Sequence, residues 1–245
     1  MSAVAYTRFE LLRTFRNRRF LLFSLGFPLV LFAILAVPNR DDQNFGGTGI
    51  PFALYYMVSL ASFGTMMAMV SSGVRIAGER TTGWTRQLRI TPLTSGAYFR
   101  AKILTAYAMA GTSIALMFGF GLAIGVSLPV GEWAQMIGLM LVGLAPFAAL
   151  GVLLGHLMTV DSMGPATGGI VSLLALVSGT WFPVAAHGVM HALALGLPSY
   201  WLVQAGHVSI GGQGWTSTGW IVVAVWTIVL TRLARFAYRR DTNRV

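Results

Sequence analysis

Seven acidic residues and four histidines are the whole stock of carboxylate and imidazole groups in this 245-residue chain, and cysteine is absent. Disulfides, thiolate metal sites and cysteine nucleophiles are therefore excluded. His187-Gly-Val-Met-His191 sets two imidazoles at i, i+4, which could face one metal on a helix. The Glu of H-E-x-x-H is missing and no third ligand is evident, so no metal site is expected. Ser178-Gly179 follows Leu176-Val177, so the G-x-S-G of an intramembrane serine protease is absent too. Nor can the chain hold nucleotide phosphates on a P-loop. That loop needs Gly-Lys-Ser/Thr, and Lys102, the single lysine, stands between Ala101 and Ile103. No catalytic residue is expected, and the chain does not read as an enzyme.

The densest polar segment lies inside the chain: Arg75-Ile-Ala-Gly-Glu79-Arg80-Thr-Thr-Gly83-Trp84-Thr-Arg86-Gln-Leu88-Arg89-Ile-Thr-Pro92-Leu93. Gly83 and Pro92 bracket a short helical piece, Trp84–Ile90, with Trp84 and Leu88 on one face. The segment 75–102 is expected to be a long internal loop with charged anchors at its ends, and Glu79, Arg80 and Arg86 are the candidate anchors. Charge and spacing alone also fit a solvated basic loop with no further role.

The elements that carry this loop follow from composition. Hydrophobic residues make up 56% of the chain and charged ones 10%, against about 25% charged in a soluble domain. Mean hydropathy is +0.71. The apolar residues form six long runs: Phe20–Val37, Pro51–Val74, Ile103–Leu128, Trp133–Leu157, Ala166–Ala186 and Trp215–Leu230. A helix needs about 20 apolar residues to cross the hydrocarbon. An all-α polytopic membrane protein with six transmembrane helices is expected, forming one domain over 1–245. The last run is short, and Thr231 to Phe236 can extend it while Arg232 and Arg235 snorkel. Phe20–Val37 exceeds the core of a signal peptide and no A-x-A site follows, so no cleavage is expected.

Six crossings put nearly all the basic residues on one side. Arg8, Arg13, Arg16, Arg18 and Arg19 precede the first run. Arg75, Arg80, Arg86, Arg89, Arg100 and Lys102 lie in the second connection, and Arg232, Arg235, Arg239, Arg240 and Arg244 in the tail. The other side receives Arg40 beside Asp41 and Asp42. The positive-inside rule then assigns both termini to the cytoplasm of a cell-membrane protein. The basic residues flank apolar spans instead of forming a soluble face, so no nucleic-acid partner is expected; the surrounding partner is membrane lipid. In the arm 1–19, Val4, Leu11, Leu12 and Phe15 recur against Arg8, Arg13 and Arg16, the pattern of an amphipathic interfacial helix. Pro183, Pro198, Gly206 and Gly211-Gly212 break the apolar stretch 184–212 into short outer helices. Almost no ionisable residue falls inside the six runs, which argues against a proton-coupled carrier. The pairs Gly121–Gly125, Gly151–Gly155 and Gly164–Gly168 allow close helix packing.

The order of residues in the basic loop adds to this. Glu79-Arg80-x-x-Gly83, then Leu88-Arg89-x-Thr91-Pro92-Leu93, then Lys102 resembles the corresponding loop of the ABC-2 family of ABC-transporter permeases, E-R-E-x-G…L-[RK]-x-[ST]-P. Thr81 stands where the family often has a second acid. A second block, Ser178-Gly179-Thr180-Trp181-Phe182-Pro183 followed by Leu197-Pro198-Ser199-Tyr200-Trp201-Leu202, is similar to the family's stretch after the fifth span.

The resemblance runs nearly end to end. It implies that Glu79, Arg80, Gly83, Trp84, Arg86, Leu88, Arg89 and Pro92 couple to an ATPase. It assigns Phe182, Pro183, Pro198, Tyr200 and Trp201 to an outer gate or re-entrant segment. It implies an ABC exporter whose ATP and Mg sit on separate ATPase subunits, with no cofactor on this chain and a second permease chain, identical or related, completing the path. The absence of large extra domains suits a hydrophobic or amphiphilic cargo such as a drug, an antibiotic or a lipid-like compound. A secondary carrier, a channel and a membrane scaffold are the alternatives.

Overall fold

A computed structural model describes residues 3–17, 21–47, 49–84, 94–185, 187–208 and 215–242. Among the described residues every long element is helical. The α-helices are α1 Ala3–Phe15, α2 Phe27–Ala36, α3 Phe52–Thr81, α4 Ser95–Ala123, α5 Val130–Gly143, α6 Ala145–Leu157, α7 Val160–Val177, α8 Val189–Leu195, α9 Pro198–His207 and α10 Ser217–Thr242. Five helical runs are long and apolar enough to cross a bilayer: Phe52–Thr81, Gly96–Ala123, Val130–Leu157, Val160–Val177 and Ser217–Asp241. The first expected span is shorter: a π-helical turn, Leu22–Gly26, runs directly into α2. The chain is a polytopic all-α membrane protein.

Element boundaries differ from the apolar runs where polar residues find partners. α3 continues past Val74 to Thr81, so Arg75, Glu79 and Arg80 are helical. α4 begins at Ser95, where the Thr94 hydroxyl accepts from Ala97 N at 3.2 Å, so Arg100 and Lys102 are helical as well. The connection expected over 75–102 is thus confined to residues 82–94. The fourth run is broken at Leu144, because Pro146 can sit in the first turn of a helix and not in its middle. α7 starts before the expected Ala166, at a Thr159–Ser162 capping box. It stops well before Ala186, at Ser178, where Gly179 turns to a φ of 83°. α10 carries on past Leu230 to Thr242. The stretch 184–212 holds the two short helices α8 and α9; Gly211 and Gly212 lie outside the described residues.

α3 is the axle of the bundle. α2, α4, α6, α7 and α9 all pack on it, and Met57, Leu60, Met66, Met69 and Val70 are fully buried. Two of its hydroxyls bond back to its own carbonyls: Thr65 Oγ1 donates to Ala61 O at 2.8 Å and Ser72 Oγ to Met69 O at 2.7 Å. Such residues can be buried without orphaned polar atoms. α2 runs antiparallel to α3, with Leu25 beside Ala68 and Pro28 against Gly64.

Among the three glycine pairs only Gly151–Gly155 seats helix on helix. A Cβ on Gly151 would lie 2.5 Å from Met69 O, and one on Gly155 would lie 2.7 Å from Gly73 O. α3 and α6 therefore touch backbone to backbone. Gly121 faces Met57, and Gly125 takes a φ of 100° just past the end of α4; a Cβ on Gly164 or Gly168 would meet nothing within 4 Å. Gly151→Val should overpack the α3/α6 contact and destabilise the chain by about 1–3 kcal/mol. Thermal unfolding in detergent reads this directly, and Gly138→Val, with open space around it, should not lower the midpoint.

Candidate functional site

The polar residues of the long basic connection do not point into water. Glu79, on the last turns of α3, is 2% exposed. Its Oε1 lies 2.5 Å from Lys102 Nζ on α4, and its Oε2 accepts from Tyr98 Oη at 2.9 Å. Lys102 Nζ also lies 2.8 Å from Glu10 Oε2 on α1. Arg13 Nη1 approaches Glu79 Oε1 at 3.5 Å. The rings of Tyr98 and Tyr6 flank the ammonium, with centroids 5.2 and 6.0 Å away. One lysine is thus shared by two carboxylates from two helices, while sitting on a third. Burial, and then the charges of Glu79 and Glu10, push the Tyr6 phenol above its ordinary range, so it stays neutral.

This network inverts the arm. Its buried face is Tyr6, Glu10 and Thr14, at i, i+4, i+8. The apolar stripe points away from the protein, with Val4 80% and Leu12 53% exposed. In water that would be misfolded; at a membrane surface the apolar stripe faces lipid and the polar face packs on the protein.

Arg80 faces inward as well. Its Nε lies 2.6 Å from Asp241 Oδ2 at the end of α10. Its Nη1 donates to Gly155 O and Met158 O, both at 3.1 Å, capping carbonyls at the end of α6. His156 Nδ1 lies 3.2 Å from the same Asp241 oxygen. Beyond Arg80 the helix ends at Thr82, and Gly83 takes the left-handed φ of 68° that terminates it. Trp84 is half-buried. Arg86, Leu88, Arg89 and Pro92 lie outside the described residues. Glu79 and Arg80, expected as charged anchors of the connection, stand in the last turns of α3 where the connection begins, with their charged groups bound to other helices.

The opposite end gathers the second sequence block. Tyr55 Oη donates to Gly179 O, and Tyr56 Oη to Trp181 O at 2.9 Å, so the first turns of α3 clamp the glycine turn. Phe182 is exposed and Pro183 packs on Gly46. Pro198, Tyr200 and Trp201 are buried in α9. Trp201 Nε1 donates to Leu195 O and accepts nothing; its own carbonyl receives Trp215 Nε1, both bonds being 2.9 Å. Gly206 lies against Val58, and His207 stacks on Tyr55 with centroids 5.1 Å apart. The described members of the two groups of candidate residues therefore occupy opposite ends of α3.

This layout, with an N-terminal arm, a basic connection rooted on the first long helix and broken helices before the last span, coincides with a family match over residues 36–236, to a profile described as "ABC-2 family transporter protein". The chain belongs to the ABC-2 transporter family. It is also 28% identical over 239 residues, 95% of each chain, to a protein of Bacillus subtilis (strain 168) named "Putative transport permease YvfS". It is therefore a transmembrane permease subunit of ABC-transporter type, located in a membrane.

In this ABC-2 permease the sequence pattern singled out Glu79 and Arg80, but missed Glu10, Arg13, Tyr98, Lys102, His156 and Asp241. One signal was available: Glu10, Glu79 and Asp241 are three of only seven acids, each within two residues of an arginine in the basic segments. The six apolar runs hold almost no ionisable groups, but the helices extend beyond them, and Glu79, Lys102 and His156 are buried at or near the helix ends. Glu79 and Lys102 pair with each other, and His156 lies beside Asp241.

Removing one member of a buried ion pair strands the other, at a cost of about 3–5 kcal/mol. Lys102→Met should therefore lower the unfolding midpoint sharply, whereas Arg40→Gln, which breaks an exposed contact of 3.9 Å to Asp41, should not. At the opposite end, burial holds the His207 imidazole down to about 4, against about 6.5 when unfolded. The unfolded chain then binds the extra proton, so this contribution is full above pH 6.5 and falls as pH drops toward 4. Comparing midpoints at pH 7.5 and 5, His207→Gln should lose part of the acid sensitivity shown by the parent chain.

Proposed function

We propose that this chain is the membrane half of an ATP-driven exporter, working with separate ABC ATPase subunits that carry ATP and Mg. The observation that carries the reading is the Glu10–Lys102–Glu79 network. It joins the arm, the helix entering the basic connection and the helix leaving it into one unit. Force delivered to Trp84, Arg86, Leu88, Arg89 and Pro92 would reach the bundle through the helix root at Glu79 and Arg80. In this reading Trp84 and Arg86 meet the ATPase, Gly83 sets the turn, and Glu79 and Arg80 keep the root rigid. Nucleotide-driven closure of two ATPase subunits then switches the path between inward- and outward-facing states.

A second permease chain, identical or related, would complete the path. The small-residue face of α7 at Gly164 and Gly168, with open space beside it, suits such a contact. The positive-inside rule supports cytoplasmic termini in the cell membrane. In support, Arg13–Glu79 and Arg80–Asp241 hold arm, loop root and tail at one end of the bundle. The buried aromatic cluster of α9 would then be an outer gate, with Phe182 and Pro183 at its rim. The cargo is hydrophobic or amphiphilic, a drug, antibiotic or lipid-like compound, in keeping with the apolar helices.

Extraction in mild detergent from the native membrane should co-purify a Walker A protein in stoichiometric amount. Trp84→Ala or Arg86→Ala should reduce the dependence of its ATPase on this chain, without changing the chain's own unfolding midpoint. If the chain comes out alone with the neighbouring genes expressed, an ATP-independent carrier, channel or scaffold becomes the better reading.

A further inference from the structure

A groove of about 460 Å³ opens between α4, α6 and α10, on a different face of α4 from the buried ion network. At its rim stand Arg100 and Arg235, both exposed. Arg100 Nε donates to Gly96 O at 3.3 Å. Neither guanidinium forms an ion pair with a carboxylate among the described residues, and no acid lines the groove. Below the arginines the walls are apolar, with Ile103 and Ala149 facing in, as far as Tyr107 and Thr227.

The depth is informative. From Arg100 to Tyr107 along α4 is about 10 Å, and from Arg235 to Thr227 along α10 about 12 Å, at 1.5 Å per residue. Both lengths fit inside half of a hydrocarbon layer about 30 Å thick. The groove therefore stays within one leaflet when its arginines are at the headgroup level, with apolar walls below them. Two arginines without carboxylate partners, set above an apolar slot, complement an anion that carries an acyl chain. A zwitterionic lipid would bring its own cation to the same place.

We propose that this groove binds one anionic phospholipid from the leaflet at the arginine-rich end, its phosphate between Arg100 and Arg235 and an acyl chain along Ile103 and Ala149. The proposal needs only the membrane fold and does not depend on which partner supplies energy.

The test uses the full chain purified in mild detergent, titrated with phosphatidylglycerol or phosphatidylcholine, with retained lipid read by native mass spectrometry. Phosphatidylglycerol should be retained preferentially. The double variant Arg100→Gln/Arg235→Gln should weaken its binding about ten- to thirtyfold, as expected for two basic residues at a lipid surface. Ala149→Phe, which fills the slot and keeps both arginines, should also lower retention. Arg232→Gln, on α10 but outside the groove lining, should leave retention unchanged. Equal retention of the two lipids would overturn the site, as would an equal loss in Arg232→Gln. Displacement by inorganic phosphate alone would assign the arginines to a free anion instead. A groove covered by a second copy would retain no lipid, and Ala149→Phe would then change the oligomeric state.

Discussion

One ammonium group lies between two carboxylates at the edge of an apolar bundle, and the arrangement of the arginine-rich end follows from it. Lys102 can be buried because Glu10 and Glu79 are both within hydrogen-bonding distance, and each carboxylate can be buried because Lys102 is there. Taking these charges from water is unfavourable, so each charged group needs its partner in place. The arm must lie where Glu10 reaches Lys102. α3 must extend as a helix to Glu79, and α4 must begin early enough to present Tyr98 and Lys102 on one side.

The second ionic group complements the first without sharing a residue. Arg80 draws the end of α10 through Asp241 and caps the end of α6. The connection that meets cytoplasmic partners in the proposed mechanism is therefore rooted in two adjacent helix residues, one tied to α1 and α4 and the other to α6 and α10. At the other end the bonds are neutral: tyrosine and tryptophan donors reach the carbonyls of turns and short helices. Those irregular segments can pack near the membrane because side chains satisfy their backbone groups.

Between the ends, close packing replaces polar bonding. α3 and α6 approach through Gly73, Gly151 and Gly155, and α3 and α9 through Gly206. Lipid supplies no hydrophobic drive between helices, so such contacts depend on small residues that permit dispersion over a long backbone interface.

Much of the fold was legible because apolar run length is a property of sequence alone, and a bilayer imposes one answer on it. The long apolar spans, the broken stretch before the last helix and the helical arm follow from composition and order, whereas the expected loop is shortened because Glu79 and Arg80 belong to α3. Three features belong to the tertiary structure. The first is the direction of the rare charges: Glu79 is buried and Arg80 half-buried, because their partners come from residues as distant as Arg13 and Asp241. The second is the orientation of the arm, where Tyr6–Glu10–Thr14 and not the apolar stripe meets the protein. The third is which glycines seat helices, since a small residue allows contact and only the neighbouring helix decides that contact occurs. Local sequence determines what a segment can be; pairing across the chain determines which of its faces is hidden.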